Sequence, residues 1–188
     1  MRKQIKFITA ILAACAAILC AAPAFAQAHG GAVGAQQKFL ARRAGTYTRT
    51  IRFFGRPGEW KGTSTISVIL GGRFIMEENR DTVMGKPVEG IRILGYDDAS
   101  KHYEMVSLYT MSTSITKFTG TSTDGGKTVS YSAMSSEPQG EVPLRALIRQ
   151  VNNEEFVVTL SARGSNGKFQ PFQETTYRRS QSEPTPVK

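Results

Sequence analysis

The chain has 188 residues and a formal net charge of +9, with 2 cysteines and 2 histidines. Cys15 and Cys20 both fall in the apolar N-terminal stretch, so the rest of the chain has no disulfide, thiol nucleophile or thiolate metal site. Beyond that stretch the cations are dispersed, Arg42-Arg43 and Arg178-Arg179 being the only basic doublets, which argues against a nucleic-acid partner.

Residues 1–26 read as an export signal. Arg2, Lys3 and Lys6 form a basic start, 7–22 an apolar run, and Ala24-Phe25-Ala26 a small-x-small cleavage site. These three cations supply 3 of the +9. The apolar run is short for a membrane span, which needs about 20 residues, so no stable span is expected once it is removed. The expected location is periplasmic or secreted, with cleavage after Ala26. Leu12-Ala13-Ala14-Cys15 also resembles a lipobox, but the residues after Cys15 stay apolar where a lipoprotein has a polar tether, so anchoring at Cys15 is the lesser alternative. Residues 27–35 are Ala- and Gly-rich and read as a flexible leader.

Residues 36–44 form the single expected helix, with Phe39, Leu40 and Ala44 as its apolar patch and Gly45 at the stop position. A helix this short must dock on something larger. From 46 onward strands alternate with turns: 46–54, 60–70, 73–83, 88–96, 102–109, 114–121, 128–134, 144–151, 155–162 and 170–178. Turn chemistry stands between them, at Arg56-Pro57-Gly58, Gly85-Lys86-Pro87, Asp124-Gly125-Gly126 and Ser165-Asn166-Gly167 among others. Short connections join antiparallel neighbours. An even number of about ten strands lets the first pair with the last and removes both sheet edges. The expectation is therefore all-β: one domain over 36–179, an antiparallel up-and-down, lipocalin-like barrel with one short N-terminal helix. An open, flattened barrel or a two-sheet sandwich would give the same strand list. Residues 180–188, polar and Pro-containing, read as a disordered tail.

Gly71-Gly72, between two runs rich in β-branched and aromatic residues, predicts a two-residue hairpin loop in which Leu70 pairs with Arg73, Val68 with Ile75, Ile66 with Glu77 and Ser64 with Asn79. Paired residues share a face. One face then carries Trp60, Ile66, Val68, Leu70 and Ile75, followed by Glu77, Asn79 and Asp81. Being the more apolar near the turn, it is the expected inward face. Charges inside a barrel must be paired or wet, so these acids would form a polar end to an apolar pocket. A β-bulge near Glu77-Glu78 would instead send them to solvent. Arg92 alternates with Gly90, Leu94 and Tyr96, and Arg145 and Arg149 with Leu147 and Val151; each arginine is either a lumen partner for a carboxylate or an outward snorkelling residue. The candidate ligand-binding set is Trp60, Val68, Ile75, Glu77, Asn79, Arg92 and Tyr96.

Catalytic signals are sparse. His29 lies in the leader, and His102 follows an acidic turn where exposure is usual. No metal site and no cofactor are expected; a haem would need His102 or a tyrosine as axial ligand. Glu77-Glu78 and Asp97-Asp98 are adjacent pairs, and adjacent strand residues face opposite ways, so neither is a ready acid/base pair. Catalytic residues stay unassigned.

Four stretches carry a family resemblance: Leu70-Gly71-Gly72-Arg73-Phe74, Gly85-Lys86-Pro87-Val88-Glu89-Gly90, Gly95-Tyr96-Asp97 and Glu174-Thr175-Thr176-Tyr177-Arg178-Arg179. In these the chain resembles domain-of-unknown-function family 1579, a bacterial family, from about residue 37 to 179. The resemblance implies a lipocalin-like fold and no particular reaction. Gly45-Thr46-Tyr47 is also similar to the Gly-x-Trp opening lipocalin first strands, which implies a cation–π contact of Tyr47 with Arg178 or Arg179 at the barrel floor. Three functions are open: a binder of a small, largely apolar molecule, a protein-interaction module of the envelope, or a cavity enzyme with a carboxylate base such as Glu77.

Overall fold

Alternation of apolar and polar side chains makes each strand two-faced, and closing the sheet on itself buries one of those faces throughout. The computed structural model of the chain describes residues 32–137 and 140–180. The expected export signal with both cysteines, His29 and most of the leader, and the tail beyond Ser180, lie outside the described residues.

Helix α1 (Ala35–Ala41) precedes ten strands: β1 (Gly45–Phe53), β2 (Trp60–Ile69), β3 (Phe74–Val83), β4 (Lys86–Asp97), β5 (His102–Tyr109), β6 (Thr116–Thr121), β7 (Thr128–Glu137), β8 (Gly140–Gln150), β9 (Glu155–Arg163) and β10 (Phe169–Arg179). Each strand pairs antiparallel with the next, and β1 also pairs with β10, so the sheet is a closed barrel rather than a sandwich. Ile51 on β1 stands beside both Trp60 on β2 and Thr175 on β10.

Three details differ from the sequence expectation. The helix stops at Ala41, because Arg43 and Ala44 donate to the carbonyls three residues back, Leu40 and Ala41, and wind the chain more tightly before Gly45 opens β1. The β2–β3 loop is longer than two residues: the last pair is Ile69 with Phe74, and Leu70, Gly71 and Gly72 all have positive φ, of 50°, 67° and 89°. The loop grows by one residue on each side, so the register is unchanged, with Val68 opposite Ile75 and Ile66 opposite Glu77. Strands β7 and β8 run on past Met134 and start well before Leu144, pairing Met134 with Pro143 and Glu137 with Gly140. Ser, Glu and Pro in that stretch read as loop, but Pro143 precedes the β8–β9 ladder, which begins at Leu144, and so leaves no bond unmade there.

The ladder between β2 and β3 is unbroken from Lys61–Thr82 to Ile69–Phe74, so no bulge interrupts it at Glu77. The irregularity lies in β10, between Pro171 and Gln173. Inside the barrel two glycines lie under aromatic rings of the neighbouring strand: Gly90 opposite Tyr109, and Gly120 opposite Tyr131. A Cβ on either would come within 2.5 Å of the ring, so these sites keep glycine to seat the aromatic.

Helix α1 packs at the end of the barrel holding the β2–β3 turn. Leu40 enters the core there, and Gln37 Nε2 donates to the Tyr96 carbonyl (3.1 Å) and to Asp98 Oδ2 (2.8 Å). The core beneath it holds Tyr47, Ile75, Leu94, Tyr131, Phe156 and Tyr177, among others. Among the described residues no helix is long and apolar enough to cross a membrane.

Candidate functional site: a polar layer beneath a cavity

The floor is aromatic. Tyr177 stacks on Phe156 at 4.2 Å, and Tyr47 meets both edge-on. Of the two arginines the lipocalin resemblance offers, Arg179 is the one over Tyr47, 5.0 Å from the ring centre, while Arg178 pairs with Glu155 outside. Arg179 also donates to the Tyr47 hydroxyl (2.8 Å) and to the carbonyls of Ala44 (2.7 Å) and Arg42 (3.0 Å), tying the chain's end to the helix exit. Arg43 is buried in this floor with no carboxylate partner among the described residues, donating to Gln150 Oε1 at 3.1 Å and lying over Phe156; burial lowers its pKa.

Above the floor runs a buried polar layer. Glu77 Oε1 accepts from Ser64 Oγ (3.1 Å), Arg92 Nη2 (3.0 Å) and the Tyr177 hydroxyl (2.9 Å), and Arg92 Nη2 also donates to Tyr177. Beside this cluster, Arg49 Nη1 meets Asp81 Oδ2 at 2.6 Å, and Asn79 Nδ2 donates to the same oxygen at 3.1 Å. Arg49 lies over the Tyr177 ring at 5.0 Å, linking the two ion pairs through one aromatic. Glu77 is 3% exposed and Arg92 5%, so both pairs are desolvated. Such a pair adds little net stability, but removing one partner costs about 3–5 kcal/mol because the other charge is then buried alone.

The titrations follow from this geometry. Burial works against the charge of Arg92, but Glu77, Tyr109 and Tyr177 outweigh it and hold the guanidinium well above its ordinary value. Arg49 is likewise raised, burial being overcome by Tyr177 and Glu77. Burial raises Asp81, with Arg49 and Arg92 opposing. Burial also pushes Tyr177 far up, so it stays a hydroxyl that donates.

Above the layer, away from α1, lies a cavity of about 890 Å³. That is the size of small-molecule sites in general. Its walls are mainly apolar, with Ile51, Phe53, Val88, Met105, Phe118 and Leu160 among them, and it reaches the β5–β6 connection at Met111. Arg49, Asp81 and Arg92 are the charged groups at its base, and Ser107, opposite Arg92 on β5, adds a hydroxyl. The barrel can thus enclose a ligand.

The seven candidate residues fall into three places. Glu77, Asn79 and Arg92 meet in the polar layer, and of these Arg92 lines the cavity. Trp60 is partly buried at the open end, edge-on to Phe53 at 5.2 Å. Ile75 and Tyr96 belong to the packed core under α1, and Val68, 43% exposed, lies toward the projecting β2–β3 turn with Leu70 (70%). Alternation puts Val68 on the inward side, opposite Ile75, yet it stays exposed. Arg145 and Arg149 point outward, and Arg145 stacks 3.9 Å over Phe169. His102 pairs with Asp97 near the helix, away from the cavity. Among the described residues no group of three His, Cys, Asp or Glu side chains has metal-binding geometry.

Arg49 and Tyr177 were not among the candidates, and the signal for Arg49 is its alternation with Tyr47 and Ile51, which puts it on the inward face of β1. Tyr177 stands in the Glu-Thr-Thr-Tyr-Arg-Arg stretch, but its partner Glu77 is 100 residues away and no local pattern pairs them.

Among solved structures, Rv2717c from M. tuberculosis is similar with a TM-score of 0.57 at 17% identity, over 80% of this chain and 100% of that one. The S-type phycobiliprotein lyase CPES from Guillardia theta gives 0.52 at 10% identity, over 78% and 93%. Identities this low speak to the fold alone. No curated protein matches the chain. A family profile described as "protein of unknown function (DUF1579)" matches residues 33–179, which includes all four of the stretches singled out above. The chain belongs to the DUF1579 family.

Proposed function

We propose that this protein is an exported barrel that binds a small, largely apolar molecule in the open half of its interior. The observation that carries the reading is the cavity of about 890 Å³, its walls mainly apolar, with an ion-paired base and a mouth edged by Ser, Thr and Glu137. A cavity needed for nothing but folding would be closed by packing, since voids cost stability. Arg92 is the candidate that borders the bound molecule, with Trp60 near the rim. Glu77 and Asn79 hold the base in shape from beneath. Export to the periplasm or beyond rests on the N-terminal basic, apolar and small-x-small pattern of residues 1–26.

Native mass spectrometry of the protein purified from its own host tests this, together with titration of the neutral apolar dye N-phenyl-1-naphthylamine. A copurified small molecule or saturable one-to-one dye binding is expected. An empty protein in every preparation that also leaves the dye dark overturns the reading.

A further inference from the structure

The base of the cavity is electrically closed. Two guanidinium groups and one carboxylate face it, and each cation already has its own acid: Arg49 with Asp81 at 2.6 Å and Arg92 with Glu77, just beneath, at 3.0 Å. A ligand carboxylate would find no unmatched cation there, and a ligand ammonium no unmatched acid. Either would be desolvated without a counter-charge, which is the costly case for any buried ion.

A neutral handle is present instead. Ser107 is only 6% exposed, lines the cavity, and stands directly across the β4–β5 ladder from Arg92. Its hydroxyl makes no hydrogen bond with any described residue, whereas the Ser64 hydroxyl, lower in the barrel, is taken by Glu77. Open to the cavity and without a partner among the described side chains, that hydroxyl is free to both donate and accept.

Resting on the cavity-binding reading, we infer that the ligand's buried end is uncharged and both donates and accepts hydrogen bonds, as a carboxamide or hydroxyl does, and that Ser107 engages it. The apolar remainder lies against Phe118, Leu160 and their neighbours. The layer thereby selects against fatty acids and amphipathic amines, although two arginines face the site.

The test is displacement of N-phenyl-1-naphthylamine at pH 7.5 by three probes with one chain and different heads: decanamide, decanoate and decylamine. Decanamide is expected to displace the dye at a concentration at least about tenfold below either ionised probe. Ser107→Ala is expected to weaken decanamide several-fold relative to the dye. In Asp81→Asn, which leaves Arg49 without its acid, the order is expected to shift toward decanoate. Decanoate or decylamine binding the wild type within tenfold of decanamide overturns the inference, as does an unaltered decanamide affinity in Ser107→Ala. In those cases dye binding persists and the cavity reading stands. Absence of dye binding fails the cavity reading itself, and this inference with it.

Discussion

The two halves of the barrel are built from the same ten strands, yet one is solid and the other hollow. Near α1 the interior is filled by Leu40, Tyr47, Tyr131, Phe156 and Tyr177, all 3% exposed or less. Toward the β5–β6 connection the inward residues include Val88, Met105, Ser107, Phe118 and Leu160, which leave about 890 Å³ between them. The ion-pair layer divides the two. Rings packed on one another at Tyr47, Phe156 and Tyr177 close one half, whereas the rings at Phe53, Tyr109 and Phe118 line the other without filling it. A barrel interior is thus a matter of side-chain volume per layer rather than of strand number alone.

The largest expected effect comes from breaking the dividing layer. Glu77→Leu buries Arg92 without its acid and should cost about 3–5 kcal/mol, read as a lowered urea midpoint. Replacing both, Glu77→Leu with Arg92→Met, should cost less than the sum of the two single changes, because no charge is then left alone. A cost for Glu77→Leu below about 1 kcal/mol would mean that the layer does not separate the halves.

Adding volume probes the contrast directly. Ala146→Leu, in the filled half, should overpack and cost about 1–3 kcal/mol, and Gly120→Ala should do the same against the Tyr131 ring. Val88→Phe, on the cavity wall, should cost less than about 1 kcal/mol and abolish dye binding. Equal costs in both halves, by thermal or urea unfolding, would show that the hollow half is not hollow.

The floor offers a smaller effect. The Tyr47 hydroxyl donates to the Arg43 carbonyl at 2.8 Å and accepts from Arg179, so Tyr47→Phe should lose about 1–2 kcal/mol while leaving dye binding intact. The smallest concerns pH. Burial raises the Asp81 pKa in the folded protein, so the native state holds that proton more tightly than the unfolded chain does. Its contribution is fully present below the ordinary carboxylate pKa and is lost as pH rises through the higher folded value. The stability of wild type relative to Asp81→Asn should therefore fall with rising pH across the mildly acidic range, as measured by urea unfolding at several pH values. An advantage that grows with pH would contradict the assignment.

Much of the barrel was legible because strand alternation and turn chemistry are local. The register Ile66–Glu77 and Ser64–Asn79 followed from Gly71-Gly72 alone, and it survived a longer loop because the extra residues entered symmetrically. The β7–β8 hairpin runs further than its sequence suggests, since Ser, Glu and Pro near its tip carry loop propensity that pairing overrides. Val68 shows the limit of parity, which tells the side a residue takes and not whether any neighbour covers it.

The chain by itself determined the even strand count, the inward alternation of Ile66, Ile75, Glu77, Asn79 and Asp81, and the absence of thiol chemistry after residue 26. Only the tertiary structure decided that Glu77 meets Arg92 and Tyr177, that Asp81 meets Arg49 instead, and that a cavity lies above them. The reason is one of range. Alternation and turn preference act between residues a few positions apart, whereas ion-pair choice and unfilled volume depend on how strands distant in the chain converge when the barrel closes.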